Sequence, residues 1–390
     1  MIEILFCLCY NKIIMKEIPL YRKIEQHYLE RISNGELKHG DKLPTEYQMT
    51  DIFGVSRITV IKAMKELEKK GVIVRHTKTG TFVNCRNRNV IKQMIIPIVL
   101  PYNNLLNYDI ILGAQKFALD NDAVIPFYNT FNNPETEREI LLSIEHMSID
   151  GLLFYPCSAL ENIDILGRLY RKKLPVVLLD RAMLGTNFPL VTSDNHGGMR
   201  RLVRYLLRKG YRRFAYYGVS KKLITTEKDR FDGFCSALFD SSVELNPDFL
   251  FEAEDDAVDK YRYATLDTQD ESLIRSSRRV AEAIKNSPTP PEVICCTNDF
   301  NAVTLLKAVQ EIGISVPDQL VITGFDGLSI ARDANPAIPT VSQDFEALGR
   351  TALDTVCRMI AGETDIPAVQ KIPTRQTRND FSGEEDEDEE

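Results

Sequence analysis

Short apolar runs alternate with helical segments from Ile95 almost to the end of the chain, and this alternation constrains the fold more than any other feature. The runs are IIPIVL, AVIPFY, GLLFY, PVVLLD, RFAYYG, EVICC and LVITGFD. Apolar strands separated by helices are typical of buried parallel sheets with helices on both faces. We therefore predict an α/β module over residues 94–378, with two doubly wound parallel sheets in two lobes. The cleft beyond the carboxyl ends of the strands is the expected ligand site.

A compact helical block precedes this module. Its first predicted helix has apolar residues at helical spacing: Leu20, Ile24, Tyr28 and Ile32. The second helix starts in LPTEYQ, where Thr45 and Gln48 have the spacing of a capping box. Gly54 is placed to end that helix, and the turn GVSR follows directly. Two short helices around such a turn predict a helix-turn-helix.

The helix after the turn has two different faces. Ser56 is placed to cap its start and Gly71 to end it. The inward positions, spaced by three and four residues, are Val60, Ala63, Met64 and Leu67. The opposite face carries Arg57, Ile58, Ile61, Lys62 and Lys65. A solvated surface helix is also charged, so this face alone does not establish DNA binding.

A predicted hairpin strengthens the DNA-binding interpretation. An apolar run at 72–74 is followed by a basic tip, and residues 81–83 form the return strand. The tip contains Arg75, His76 and Lys78. A helix-turn-helix with a two-stranded wing is a winged helix, so we expect an amino-terminal winged helix-turn-helix domain over residues 16–84.

Charge is distributed unevenly along the 390 residues, whose net charge is -8. Residues 16–85 contain 13 Lys and Arg against 9 Asp and Glu, a net of +4, whereas the last seven residues, EEDEDEE, are all acidic. We expect residues 379–390 to be a disordered acidic tail. Residues 85–93 form the expected linker, and residues 1–15 an extension or a mis-start upstream of Met15.

The head resembles the DNA-binding domain of the GntR family of bacterial transcription regulators in the segments PLYRKI, LPTEYQM, GVSRITV, LEKKGVI and TGTFV. The resemblance implies that Arg57 begins a recognition helix. Tyr47 and Ile61 stand where family members often have arginine, and Ile61 is suited to contact a thymine methyl. Lys62, Lys65 and Lys78 are suited to bind phosphates. The predicted DNA-binding residues are Thr45, Tyr47, Ser56, Arg57, Ile58, Thr59, Ile61, Lys62, Lys65, His76 and Lys78.

The second module resembles the LacI/GalR family of sugar-sensing regulators, whose effector domain is similar to periplasmic sugar-binding proteins. The segments are VLPYNN, IDGLLFYP, LPVVLLDR, VTSDNHGG, RKGYRRFAYYG, DRFDGF, CTNDFNAVTLLKAVQEIGISVPDQLVITGFD and PTVSQDFEALGR. This resemblance implies that Arg230 and Asp299 bind the effector. Carboxylate, guanidinium and amide groups suit the hydroxyls of a polyol, and an aromatic side chain suits its ring. The predicted effector residues are Tyr102, Asn103, Asn104, Phe154, Thr226, Arg230, Asp299 and Phe345.

Structural roles compete with these assignments. Asp299 is also placed to cap a helix that begins at Phe300, and Arg230 to form a surface salt bridge. Asp194 and Asn195 are expected to cap the helix that follows them.

Together the two resemblances imply a sugar-responsive transcription regulator, most simply a repressor. We expect a homodimer that binds a palindromic double-stranded DNA operator and releases it when a monosaccharide fills the cleft. The alternatives are an α/β enzyme fused to a DNA-binding head, and a regulator that senses a phosphosugar or another small metabolite. The sequence has no GxGxxG, GxxxxGK[ST], GxSxG or zinc motif, so we expect no enzyme activity, metal or cofactor.

Cysteine usage and the amino terminus bear on location. The eight cysteines include no CxxC pair and show no zinc spacing with the histidines, which is typical of reduced thiols. The apolar start, MIEILFCLCY, lacks a preceding basic region and a cleavage site, so no signal peptide is expected. We predict a cytoplasmic protein with no membrane partner.

Overall fold

The computed structural model divides the chain into two compact units, residues 1–93 and 94–390, which we call the head and the sensor. It describes residues 19–33, 36–76, 80–84, 93–101, 105–219, 224–252, 268 and 270–376. Within these ranges, every helix is too short or too polar to cross a membrane. The predicted extension, most of the linker and the acidic tail lie outside the described residues.

The head contains the three helices and the hairpin that the sequence predicts. The helices are α1 (Leu20–Ser33), α2 (Glu46–Phe53) and α3 (Arg57–Lys69). The strands β1 (Ile73–His76) and β2 (Gly80–Val83) pair antiparallel. The predicted inward positions of α1 and α3 other than Leu20 are buried in one apolar core, whereas Leu20 is 54% exposed. The fold of the head is therefore a winged helix-turn-helix.

Local capping fixes where α2 and α3 begin. Thr45 and Gln48 form the predicted capping box, with each residue's side chain accepting from the other's backbone N–H. Ser56 caps α3 by accepting from the backbone N–H of Thr59. Gly54 ends α2 with a φ of 63°, a conformation that favours glycine. These caps confirm the predicted boundaries of the helix-turn-helix.

The first lobe of the sensor is built around a six-stranded parallel sheet. Its elements are β3 (Met94–Ile95), β4 (Ile98–Leu100), α4 (Leu105–Asp120), β5 (Ala123–Val124), β6 (Phe127–Asn129), α5 (Pro134–Glu145), β7 (Leu152–Phe154), α6 (Ile163–Arg171), β8 (Val176–Leu179) and β9 (Leu190–Ser193), joined later by α12 (Phe345–Ile360) and β15 (Val369–Ile372). The strand order is β15-β9-β8-β7-β4-β6, and β3 and β5 form a separate parallel pair. Every pairing in the six-stranded sheet is parallel, as predicted.

The second lobe repeats this architecture. Its elements are α7 (Asn195–Arg208), β10 (Phe214–Val219), α8 (Thr225–Asp240), β11 (Leu250–Glu252), α9 (Glu271–Asn286), β12 (Val293–Cys296), α10 (Asp299–Glu311), β13 (Val321–Asp326), α11 (Ser329–Arg332), β14 (Thr340–Ser342) and β16 (Arg375–Gln376). The strand order is β11-β10-β12-β13-β14-β16. All pairs are parallel except β14 with β16, which are antiparallel. The sheet is therefore parallel with one antiparallel edge.

Each sheet is covered on both faces. In the first lobe, α4 and α12 pack on one face and α5 and α6 on the other, and each face has its own apolar core. In the second lobe, α9 and α10 pack opposite α7 and α8. Such a sheet buries both faces of its strands, which explains why the strand sequences are continuously apolar. The predicted doubly wound lobes are confirmed.

The chain passes between the lobes three times, at 194, 343–344 and 373–374. Arg201 ties the first and third crossings together, because its guanidinium donates to Asp194 (3.1 Å) and to the hydroxyl of Thr374 (2.8 Å). The second crossing brings the chain from β14 to α12, which packs on the first lobe. The two sheets are therefore joined by three segments of the chain.

Helices α4 and α12 approach closely because each contributes a glycine at the contact. A Cβ built on Gly113 would lie 1.9 Å from the carbonyl oxygen of Glu346, and a Cβ on Gly349 would lie 1.9 Å from that of Ile110. Both obstacles are backbone atoms, which cannot turn aside as a flexible side chain can. The position of α12 on the first lobe therefore depends on Gly113 and Gly349, which have a hydrogen atom where other residues have a Cβ.

We predict that Gly349→Ala destabilises the protein by about 1 to 3 kcal/mol, because the added methyl group overlaps the backbone of α4. The control is Gly167→Ala in α6, where the nearest atom to the new Cβ is the end of Arg171, 3.8 Å away. That change should stabilise the protein by about 0.5 to 1 kcal/mol, since alanine favours helix. Urea unfolding of the full chain measures both, and equal midpoints for the two variants would contradict the packing argument.

Candidate functional site

The outward face of α3 is the candidate DNA-binding surface of the head. Arg57, Ile58, Lys62 and Lys65 are exposed, whereas Ile61 is half-buried. Ile58 is 79% exposed, the largest exposure among the large apolar side chains of the described head. The helix therefore presents a mixed basic and apolar face, as its sequence predicts.

Arg57 is held in place by two residues of α2. Its guanidinium forms an ion pair with Glu46 at 3.2 Å, and it lies 4.8 Å from the centre of the Tyr47 ring. The Tyr47 hydroxyl also accepts from Arg57 at 3.3 Å. Glu46 contacts Arg75 of β1 at 3.3 Å, so one carboxylate links α3 to the wing. Sequence reasoning missed Glu46, although its place one residue after the cap Thr45 is a usable signal.

Other predicted head residues have mainly structural contacts. The side chains of Thr45 and Ser56 are used in capping, and Thr59 contacts the Ser56 hydroxyl at 2.9 Å. Lys62 lies 4.0 Å from the centre of the Tyr21 ring, a cation–π contact. His76 is exposed at the end of β1. Lys78 lies outside the described residues.

Arg230 is the centre of the candidate effector site in the sensor. It lies on α8 and is 6% exposed, so it forms no surface salt bridge. Its Nε donates to Asn195 at 2.8 Å and its Nη1 to the carbonyl of Thr297 at 2.7 Å. Its Nη2 pairs with Asp326 at 3.0 Å, and the guanidinium lies 4.0 Å from the centre of the Phe325 ring. Each nitrogen of Arg230 therefore has a partner in the protein.

Each lobe contributes an aspartate at the end of a strand. Asp180 follows β8 in the first lobe, and Asp326 ends β13 in the second. Both have a positive φ, 59° and 119° respectively, which is unusual for a residue other than glycine. The Tyr155 hydroxyl donates to Asp180 at 2.6 Å, while the other carboxylate oxygen of Asp180 is buried without a hydrogen-bond partner. Strained backbone and a buried oxygen without a partner are features of ligand sites.

Asp299 does not cap α10, which is the structural role that the sequence also allows for it. The helix α10 begins at Asp299 itself and is capped by Asn298. The Asp299 carboxylate accepts from the backbone N–H of Leu328 at 2.7 Å and from the Thr340 hydroxyl at 2.5 Å, both within its own lobe. It lies against Gly324, where a Cβ would be 2.1 Å from its oxygen. The carboxylate beside Arg230 is Asp326, which sequence reasoning missed.

The aromatic prediction also needs correction. Phe154 is fully buried in the core beneath α5 and α6, so its ring cannot stack on a ligand. Phe345 begins α12 and packs against the core of the first lobe while remaining half-buried. Tyr155, one residue after Phe154, contacts Asp180 with its hydroxyl and is the aromatic side chain at this strand end. Adjacent strand positions point in opposite directions, so an offset of one residue changes the assignment.

The remaining predicted residues have mixed outcomes. Thr226 is buried in the first turn of α8, four residues before Arg230. Asp194 caps α7 as predicted, by accepting from Gly197. Asn195 does not cap that helix; its side chain accepts from Arg230. Tyr102, Asn103 and Asn104 lie outside the described residues.

Two buried carboxyl groups near one guanidinium differ in protonation. Burial, together with the neighbouring charge of Asp326, raises the pKa of Asp299 to about 8. Burial also raises the pKa of Asp326, but Arg230 opposes that shift. The ion pair with Arg230 therefore keeps the charge on Asp326, and Asp299 holds a proton near neutral pH.

We predict that this proton makes the sensor less stable as the pH rises. The folded-state pKa of Asp299, about 8, lies above the ordinary value, so the stabilisation is present at low pH and is lost as the pH rises towards 8. Relative to Asp299→Asn, which cannot titrate, the wild type should lose up to about 1.4 kcal/mol per pH unit. Urea midpoints from pH 5 to 9 measure this loss. Asp333→Asn, which changes an exposed carboxylate, is the control, and parallel profiles for wild type and Asp299→Asn would contradict the assignment.

Comparisons with known proteins agree with both units. The model of the gntR family of bacterial regulatory proteins matches residues 20–83, and the periplasmic binding protein-like domain matches residues 203–378. The arabinose metabolism transcriptional repressor of Geobacillus stearothermophilus is 27% identical over 352 residues, covering 88% of this chain and 92% of the relative.

Two solved structures share the fold. The complex of the transcriptional regulator CelR with cellobiose has a TM-score of 0.61 at 18% identity, covering 86% of this chain and 99% of that chain. The transcription regulator CcpA of Lactococcus lactis has a TM-score of 0.61 at 19% identity, covering 74% and 98%. The chain thus joins a winged-helix head that matches the gntR family model to a sensor that matches the periplasmic binding protein-like domain.

Proposed function

We propose that the protein is a sugar-responsive transcription repressor that binds operator DNA through its head and a monosaccharide in the cleft of its sensor. The observation that carries the proposal is that buried Arg230 pairs with Asp326 of its own lobe and lies close enough to Asp180 of the other lobe for that carboxylate to act on its charge. A ligand held between residues of two lobes favours one arrangement of those lobes over others. The relative in Geobacillus stearothermophilus is a transcriptional repressor of arabinose metabolism, which supports a sugar as the effector.

The chemistry of the cleft favours an uncharged polyol over a phosphosugar. Asp180 and Asp326 present carboxylate oxygens, which accept from hydroxyl groups and repel phosphate. Each nitrogen of Arg230 already has a protein partner, so a phosphate would have to displace one of them. Adjacent sugar hydroxyls, in contrast, add to the hydrogen bonds already present.

Regulation then follows from thermodynamic coupling between sugar binding and operator binding. A sugar that changes operator affinity must have its own affinity changed by the same factor when DNA is bound. Coupling of roughly 1 to 3 kcal/mol corresponds to about a 5-fold to 150-fold change in operator affinity. We propose that the sugar lowers that affinity. We also propose that a homodimer binds a palindromic operator, because one winged helix contacts few bases.

The function is tested with the full chain in two steps. Selection from random DNA should enrich a defined sequence, and gel shifts on that sequence should weaken when the correct monosaccharide is added. A screen of monosaccharides and their phosphate esters by thermal shift identifies that ligand, since a ligand at a hundred times its Kd stabilises the folded state by about 2.7 kcal/mol. Failure to enrich any sequence would contradict the proposal, and so would operator binding that no sugar alters.

In the head, we predict that Arg57→Ala weakens operator binding by about 1 to 3 kcal/mol. Arg57→Lys should keep the salt dependence but lose sequence discrimination, because lysine cannot form a bidentate pair with a base. Lys69→Ala is the control, since Lys69 lies about 18 Å further along the same helix. Gel-shift titrations at several salt concentrations measure these effects. Equal losses for Arg57→Ala and Lys69→Ala would remove Arg57 from the site.

In the sensor, we predict that Asp326→Asn weakens sugar binding about tenfold to a hundredfold, because it removes a charged acceptor from a buried site. Because this variant leaves the Arg230 charge buried without its partner, both proteins are compared at a temperature at which urea unfolding shows each to be folded, and operator binding without sugar should then stay unchanged. Calorimetric titration measures the first effect and gel shift the second, with the exposed Asp333→Asn as the control in the same lobe. An unchanged sugar Kd in Asp326→Asn would place the effector elsewhere.

A further inference from the structure

Ile58 is an apolar side chain in a charged setting. It is the second residue of α3 and is 79% exposed. The residues three, four and seven positions later share its face of the helix: Ile61, Lys62 and Lys65. Arg57 precedes it directly. The apolar core of the head takes the opposite face of α3, so Ile58 has no part in it.

Exposure of one isoleucine is ordinary on a protein surface and needs no explanation by itself. The position of Ile58 at the start of α3 is what suggests a function for it. Residues at the start of a recognition helix contact base edges in the major groove. The basic residues on the same face attract phosphates, and Arg57 is oriented by Glu46 and Tyr47. An isoleucine among them therefore meets the edge of a base rather than the backbone.

The major-groove edges of the four bases present one apolar group, the C5-methyl group of thymine. A branched aliphatic side chain gains by burying a methyl group and offers nothing to a hydrogen-bonding edge. Ile61, half-buried one turn further on, extends the apolar spot behind Ile58. The sequence alone directs attention to Ile61, whereas the exposed fractions single out Ile58.

We propose that Ile58 is a specificity-determining residue that selects thymine by contact with its methyl group. This inference rests on the proposed operator binding and adds to it the identity of one base that the operator must contain. It also implies that the selectivity arises from apolar contact with the methyl group. The DNA position that Ile58 contacts should therefore accept another base that carries the same methyl group.

The test removes the methyl group and leaves every hydrogen-bonding group of the base in place. The full chain first selects its site from random DNA, and each thymine of that site is then replaced in turn by deoxyuridine. Replacement at one position of a half-site should weaken wild-type binding about fourfold, the effect of burying one methyl group. The Ile58→Ala variant should bind the thymine site more weakly than wild type. It should show no further loss with deoxyuridine at that position.

Ile52→Ala is the matched control. Ile52 is also an exposed isoleucine, at 59%, but it lies on α2 rather than α3. This variant should keep the full deoxyuridine effect, which separates the loss of a base contact from a general loss of apolar surface.

The possible outcomes separate failure of this inference from failure of the proposed operator binding. A selected site at which no deoxyuridine weakens binding overturns the inference alone. So does a deoxyuridine effect that persists unchanged in Ile58→Ala. Failure to select any sequence overturns both the inference and the proposed operator binding.

Discussion

The buried ion pair of Arg230 and Asp326 is the interaction on which the sensor depends. Removing one partner of such a pair typically costs about 3 to 5 kcal/mol, because the other charge stays buried. Here each charge has further support: Asn195 accepts from Arg230, and Gln343 donates to Asp326 at 2.7 Å. Asn195 follows the first lobe crossing and Gln343 belongs to the second. A ligand that contacts the pair therefore acts on the segments that join the lobes.

Backbone strain accompanies this arrangement at both strand ends. A residue other than glycine at positive φ costs on the order of 1 to 3 kcal/mol and persists when its surroundings fix it. Asp180 is fixed by the Tyr155 hydroxyl, and Asp326 by Arg230 and Gln343. Each lobe thus holds an aspartate at positive φ at the end of a strand, at 59° for Asp180 and 119° for Asp326.

Features that depend on neighbours in sequence were predictable, and those that depend on packing were not. The caps at Thr45 and Ser56 and the parallel strands follow from local pattern, and the structure confirms them. Local pattern does not indicate whether Asp299 or Asp326 lies beside Arg230, because both lie at the boundary of a strand or helix in the same lobe. Asp326 pairs with Arg230, whereas the Asp299 carboxylate packs against Gly324. Spacing cannot reveal such a contact between distant parts of the chain.

In the head, one acidic residue shows how affinity and specificity are divided. Glu46 lies beside Arg57 and Arg75, on the surface proposed to face DNA. Its charge opposes phosphate whatever the base sequence, so it weakens binding to all DNA alike. Holding Arg57 in one geometry lowers the entropy lost when that guanidinium meets a base, and this gain is realised at the correct base. An apolar contact at Ile58 also favours only the correct base, because it adds nothing to the attraction for phosphates. The head therefore limits general affinity for the polyanion and derives its selectivity from fixed, short-range contacts.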